Sequence, residues 1–258
     1  MITMSGVTLI RDDQLILDEI NLDVRPGEQW AIVGKNGSGK TTILEMLNGY
    51  MFPSSGKIQV LGYTYGSCDV REVRKQIGYI STSMLEKLNM SDPAWEVVAT
   101  GEYAFLTFYR SITVSVRKKA LAMLELLEVG HLANRPLGAL SQGERRKVML
   151  ARALMTSPKL LIMDEPCAGL DLYQREKLLR GIASFADLRV QIVYVTHHIE
   201  EIIPMFTHVA LVDEGRVAAA GPKAEVLTES LLRSVYQIPA KIEWQYDRPW
   251  LKVASGGL

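Results

Sequence analysis

The sequence predicts an α/β fold with a mixed sheet, an N-terminal antiparallel β-subdomain and an inserted helical subdomain, and three observations carry that prediction. Short runs of alternating apolar residues at 7–10, 15–17 and 20–24 read as strands with one buried face. Two later runs, 160–163 and, after Gln191, 192–195, are apolar throughout, so that 160–163 and 191–195 read as parallel strands covered on both faces. Between these groups, residues from Ser91 to about Met155 carry helical periodicity, with Val116, Ala120, Leu124 and Leu127 on one face.

Each element has its own signal. The N-terminal runs end at the turn Arg25-Pro26-Gly27, and residues 29–33 are a short buried-type strand followed by a glycine-rich loop and a helix beginning near Lys40. Gly49 and the turn at 53–56 close that helix, and 57–60 and 77–80 read as further strands. Asp92 before Pro93 predicts an N-cap and first-turn pair opening the helical insertion, about 91–156. A helix over 172–186 separates the two buried-type strands. A final pair, 208–212 and 216–220, turns at Asp213-Glu214-Gly215, and a helix after Pro222 leads into a tail, about 230–258, that contains Trp244 and Trp250.

The chain has 258 residues, 48% of them hydrophobic, enough for one domain, 1–258, with a subdomain inserted. Its 29 basic residues balance 29 acidic ones without clustering, so nucleic acid is not the expected partner. Cys68 and Cys167 belong to no paired pattern, which fits a reducing compartment, and His131, His197, His198 and His208 lack zinc-ligand spacing. The N-terminus shows no targeting pattern, and no run of about eighteen apolar residues occurs, so a cytoplasmic protein is expected whose membrane link would come through a partner.

The chemistry begins at Gly34-Lys35-Asn36-Gly37-Ser38-Gly39-Lys40-Thr41, which fits G-x-x-x-x-G-K-[ST]. Its glycines let backbone amides converge on an anion, and the helix that follows points its positive end at the same place. Lys40 supplies a mobile positive charge for β- and γ-phosphates, the Thr41 hydroxyl is an oxygen ligand suited to Mg²⁺, and Thr42 can add a phosphate hydrogen bond. The loop, lying between a buried strand and a helix, predicts a P-loop NTPase core and leaves open of which kind. Asp164 and Glu165 close the strand at 160–163, at the sheet edge where ligands bind. Successive side chains diverge there, so Asp164 can reach the metal shell while Glu165 polarises an attacking water. His197 stands in the same position after the strand at 191–195, where an imidazole can bond the γ-phosphate. His198, one residue on, points elsewhere.

Ser141 with Glu144 three residues later has the form of a capping box opening a helix. The run LSQGE followed by RRKVMLARAL resembles the signature motif and helix of the ATP-binding cassette (ABC) family, with the phosphate loop, LLIMDEP and His197 in the matching order and spacing. The resemblance covers the chain to about Leu227. It implies an ATP hydrolase that forms a head-to-tail dimer of two copies with two ATP at the interface, each held between one copy's phosphate loop and the other copy's Ser141 and Gly143. It implies also that Ala168-Gly169-Leu170-Asp171 is the D-loop, with Asp171 contacting the opposite copy; Cys167 beside it reads as a packing thiol.

Two departures from the family stand out. Where most members carry a glutamine that reaches magnesium and couples the site to a membrane partner, residues 80–84 read Ile-Ser-Thr-Ser-Met, placing Thr82 or a neighbouring serine there. Where many stack adenine on an aromatic residue, this chain has Arg11, a guanidinium that can stack on a base or stand exposed on a hairpin. With Gly27-Glu28-Gln29-Trp30 and the doubled histidine, these features are similar to a subgroup named for molybdate-transport and photorepair proteins. The resemblance implies the energy-coupling subunit of a transporter acting through a separate transmembrane permease, with Tyr103, Phe105, Phe108 and Tyr109 as a docking run or as core. The alternative is a non-transport ATPase acting as a switch on a ribosome, a nucleic acid or a regulatory partner.

Overall fold

Apolar alternation builds the first strand, β1 (Ile2–Arg11), where Ile2, Met4, Val7 and Leu9 are buried. Asp12 and Asp13, both at positive φ, form a two-residue turn whose twist suits a hairpin, and β2 (Gln14–Val24) returns antiparallel. The runs at 15–17 and 20–24 are therefore one strand. Glu19, at φ 48°, interrupts the alternation between them, and the pairing carries register shifts typical of bulges. The computed structural model describes residues 1–103, 112–185 and 190–253. The chain divides into two compact units, residues 1–73 with 191–258, and residues 74–190.

In the first unit, β3 (Trp30–Val33) is buried at every position and α1 (Lys40–Leu47) follows it. Each large side chain in such a strand contributes about 1.5–3 kcal/mol by its burial, which holds the base of the intervening loop in place. The strands β4 (Ser55–Val60) and β5 (Tyr63–Thr64) complete an antiparallel sheet in the order β2-β1-β4-β5, and α2 (Val70–Arg74) comes next.

The second unit begins with β6 (Ile77–Ile80) and α3 (Thr82–Glu86), continues through α4 (Ala94–Ala99), α5 (Val114–Leu126) and α6 (Gln142–Leu154), and ends with β7 (Leu160–Asp164) and α7 (Leu172–Ala183). β6 and β7 pair in parallel. The predicted apolar face of α5 is buried: Val116, Ala120, Leu124 and, just past the helix, Leu127. The expected cap of α4 is corrected by one residue. Pro93, not Asp92, holds the N-cap position, in extended conformation with its carbonyl accepting from the amides of Glu96 and Val97, while the Asp92 carboxylate accepts from Asn89 at 2.6 Å. Of the aromatic run, Tyr103 is 45% exposed, and Phe105, Phe108 and Tyr109 lie outside the described residues.

The chain returns to the first unit with β8 (Gln191–Thr196), β9 (His208–Asp213) and β10 (Arg216–Pro222). β3 is parallel to both β8 and β9, and β10 is antiparallel to β9, so the sheet is mixed, in the order β10-β9-β3-β8. The helices α8 (Lys223–Val226) and α9 (Glu229–Tyr236) precede a feature that the sequence left as a tail, a hairpin of β11 (Ala240–Gln245) and β12 (Arg248–Val253). Tyr246 and Asp247, both at positive φ, make its turn, and the Lys223 ammonium reaches the Asp247 carboxylate at 2.6 Å. Arg248 donates to the Glu200 carbonyl at 2.6 Å and stacks over Trp250. Among the described residues no helix is long and apolar enough to cross a membrane.

Candidate functional site

The loop between β3 and α1 has the backbone its sequence requires. Gly37 and Gly39 take φ of 79° and 102°, a region that L side chains avoid. A Cβ on Gly34 would overlap the Val212 carbonyl of β9, and one on Gly39 would press on Leu17 of β2. The loop is thus seated against β9 of the mixed sheet and β2 of the antiparallel one. Hydrogen bonds tie it down: the Gly215 amide donates to the Ser38 carbonyl at 3.1 Å and the Asp18 amide to Gly215 at 2.8 Å.

Inside this cradle the Lys40 ammonium, on a residue only 5% exposed, donates to the carbonyls of Gly34 and Lys35, each at 2.8 Å. Ser38 is 4% exposed and its buried hydroxyl has no hydrogen-bond partner, a cost of about 1–3 kcal/mol that an anion's oxygen would relieve. A cation, an unsatisfied hydroxyl and the N-terminus of α1 brought together by one loop are the donor set of a polyphosphate site. Lys35 is steadied by Asp213 at 3.1 Å, while Asn36 and Thr41 are exposed and Thr42 is half-buried. Arg11 stands exposed at the tip of the β1–β2 hairpin, paired in register with Gln14, a short way along β2 from the Leu17 that touches Gly39.

Also in this unit, His197 directly follows β8 and is half-buried, its ring 4.1 Å from that of His198. His198 differs in its surroundings, with Nδ1 lying 3.4 Å from Glu200.

The second unit holds the carboxylates and the signature. Asp164 is the half-buried last residue of β7, and Glu165 follows at φ 46°. A non-glycine residue in the left-handed region costs on the order of 1 kcal/mol, and such strain collects where a side chain must be aimed. Cys167 is 4% exposed and so packed away. Asp171 is exposed and caps α7, accepting from the Gln174 amide at 2.8 Å.

Ser141 forms the complete capping box of α6. Its amide and hydroxyl donate to the Glu144 carboxylate at 2.7 and 2.8 Å, and the Glu144 amide returns a bond to the hydroxyl at 3.3 Å. The Ser141 amide, then its hydroxyl, hold the Glu144 carboxyl below the usual carboxylate range. Ser141 itself stays exposed, whereas Gly143 is buried where a Cβ would crowd Gln174 of α7.

Thr82 opens α3 and is exposed, while Ser81 is buried as its N-cap. The hydroxyl of Thr82 accepts from Arg146 at 3.2 Å, and the same guanidinium nitrogen lies 3.5 Å from the Ala168 carbonyl. A buried arginine of the signature helix therefore joins the segment at Thr82 to the segment after β7. Sequence reasoning missed Arg146, although its spacing with Gly143, Leu150 and Ala153 puts it on the buried stripe of α6, and a charge on such a stripe signals a specific partner.

The ABC transporter family profile matches residues 17–168. The ABC transporter ATP-binding protein YlmA of Bacillus subtilis is 40% identical over 258 residues, covering 99% of this chain and 98% of that one. Among solved structures, cbiO1 of Clostridium perfringens, part of the ABC transporter complex cbiONQ, is 28% identical with a TM-score of 0.77, covering 92% of this chain and 94% of that one. A dimeric bacterial ABC transporter cassette is 25% identical with a TM-score of 0.75, covering 86% of this chain and 98% of that one. The chain belongs to the ABC transporter family, as one of its ATP-binding, ATP-hydrolysing cassettes.

Proposed function

We propose that this cassette binds ATP with Mg²⁺ on residues 34–42 and hydrolyses it in a head-to-tail dimer of two copies, and that the closing of the dimer drives transport through separate transmembrane permease subunits. The observation that carries the reading is the cradle of β3, loop and α1, with its buried Lys40 ammonium and its unsatisfied Ser38 hydroxyl.

In this mechanism the amides of residues 34–39 and the N-terminus of α1 receive the phosphates, and Lys40 exchanges its two carbonyl contacts for β- and γ-phosphate oxygens. Thr42 adds a hydrogen bond, and Arg11 lies over the adenine. Thr41 and Asp164 are oxygen donors of the kind a hard cation takes, directly or through water. Magnesium, when bound, neutralises charge on the phosphate oxygens. Glu165 accepts the proton of the attacking water, and His197 holds the γ-phosphate and that water in line. Ser141 and Gly143 of the second copy complete the site, and Asp171 contacts that copy. Thr82, tied to Arg146, takes the place of a magnesium-reaching side chain, so that coupling runs through α6 and the segment after β7.

The test is Glu165→Gln. It keeps the shape and removes the base, so kcat should fall by about a hundredfold or more while ATP stays bound. Hydrolysis at the unchanged rate would refute the role of Glu165. Co-purification of this variant with a membrane protein in ATP would identify the permease, and recovery with ribosomes or nucleic acid instead would overturn the transport role.

A further inference from the structure

Four residues after the half-buried His197 lies a group with no part in the mechanism above, a carboxylate inside the first unit. Glu201 is 2% exposed, and its Oε2 accepts from the hydroxyl of Tyr194 at 2.8 Å and from that of Thr196 at 2.7 Å. Both donors are themselves enclosed, Tyr194 at 0% and Thr196 at 1% exposure. They alternate along β8, so their side chains fall on one face of the strand. Burying a carboxylate is costly, and an apolar side chain would fill the same space more cheaply.

The direction of the hydrogen bonds indicates what the carboxylate does. A carboxylate only accepts, so both hydroxyl protons must point at Glu201. The Thr196 oxygen is left with its lone pairs facing elsewhere, and there it accepts from the His198 amide at 3.0 Å. That amide belongs to the peptide unit joining His197 to His198. The Glu201 amide in turn donates to the His198 carbonyl at 3.1 Å, and Arg248 of the C-terminal hairpin grips the Glu200 carbonyl from outside. The backbone on the C-terminal side of His197 is thereby fixed through one polarised chain, from the His198 amide to Thr196, to Glu201, with Tyr194 as second donor.

We propose that Glu201, acting through Thr196 and Tyr194, is a positioning residue that sets the imidazole of His197 for ATP hydrolysis. The proposal rests on the assignment of His197 to the γ-phosphate. Misplacement of a reacting group by about 1 Å costs on the order of a hundredfold in rate, so loosening this chain should act on kcat rather than on nucleotide binding.

The experiment compares Glu201→Gln, Thr196→Val and Thr196→Ser in the full chain, using steady-state ATP hydrolysis and spectra of ¹³C-labelled histidine. With four histidines in the sequence, the rings of His197 and His198 are resolved from His131 and His208 by single substitutions. Glu201→Gln and Thr196→Val should lower kcat by about tenfold or more, leave KM for ATP within about twofold, and move the His197 and His198 signals alone. Thr196→Ser, which keeps the hydroxyl, should restore both readouts. Thr196→Val is nearly isosteric and serves if Glu201→Gln does not fold. An undiminished kcat in a folded variant, an equal change in KM, or displacement of all four histidine signals would overturn the proposal. A fully active His197→Ala would instead remove the assignment of His197 itself.

Discussion

At the scale of single residues, the loop from Gly34 to Thr42 shows how much a local backbone requirement reveals. Its glycines stand where positive φ or a close carbonyl excludes a Cβ, so the pattern is legible without knowledge of the rest of the fold. Lys40 carries the prediction at this scale. Lys40→Ala removes a charged donor, worth about 1.5–3 kcal/mol to an anion, and should weaken binding of a fluorescent ATP analogue by about ten- to a hundredfold. Unchanged affinity would refute the loop as the phosphate site. Arg146 and Glu201 were not legible in the same way. The partner of Arg146 is 64 positions away in sequence, and the role of Glu201 depends on which way three hydroxyl and amide protons point. Glu165 lies between these cases: its place at a strand end could be read, but its left-handed backbone could not.

At the scale of elements, helices and strands with a strong period were read well, and boundaries and weak strands were not. The face of α5 and the strands β6 and β7 follow their patterns, because burial on one or both faces leaves a regular trace. The β11–β12 hairpin escaped, although β11 alternates apolar Ala240, Ile242 and Trp244 with polar residues, because β12 contains Pro249 and sets Trp250 beside Leu251, and Tyr246-Asp247 is not a strong turn signal. The capping box of α6 was legible as Ser141 with Glu144, and it sets a pH dependence. The carboxyl of Glu144 is held below its ordinary value of 4.5 in the folded chain, first by the Ser141 amide. Its stabilisation is therefore fully present above the unfolded value and is lost as pH falls through the lower, folded value. Glu144→Gln can accept the same bonds without titrating. The difference in denaturation midpoint between the natural chain and Glu144→Gln should be constant at neutral pH and shrink below about pH 4.5. A difference that does not vary with pH would contradict the Ser141–Glu144 geometry. Glu144→Ala should cost on the order of 1 kcal/mol at neutral pH.

At the scale of the whole molecule, the chain carries one phosphate loop and one signature, and the proposed site needs both from different copies. Ser141 and Asp171 are exposed, as groups that meet a second copy must be before it arrives. The dimeric cassette to which the chain is 25% identical supports association of this kind. Balanced charge, 29 basic against 29 acidic residues, adds no net repulsion between two copies. What the sequence could not show at this scale is what the proposed dimer drives, since Thr82, which is proposed to stand at the coupling position, is bound to Arg146.

The most direct test of the central claim mixes two inactive variants, Lys40→Ala and Ser141→Arg, and measures ATP hydrolysis. If each site takes its loop from one copy and its signature from the other, a mixed dimer contains one site with both lesions and one intact site. Activity should then reappear on mixing, although each variant alone is inactive. No recovery on mixing, with mixed dimers verified by mass or by differential tagging, would contradict a site shared between two copies.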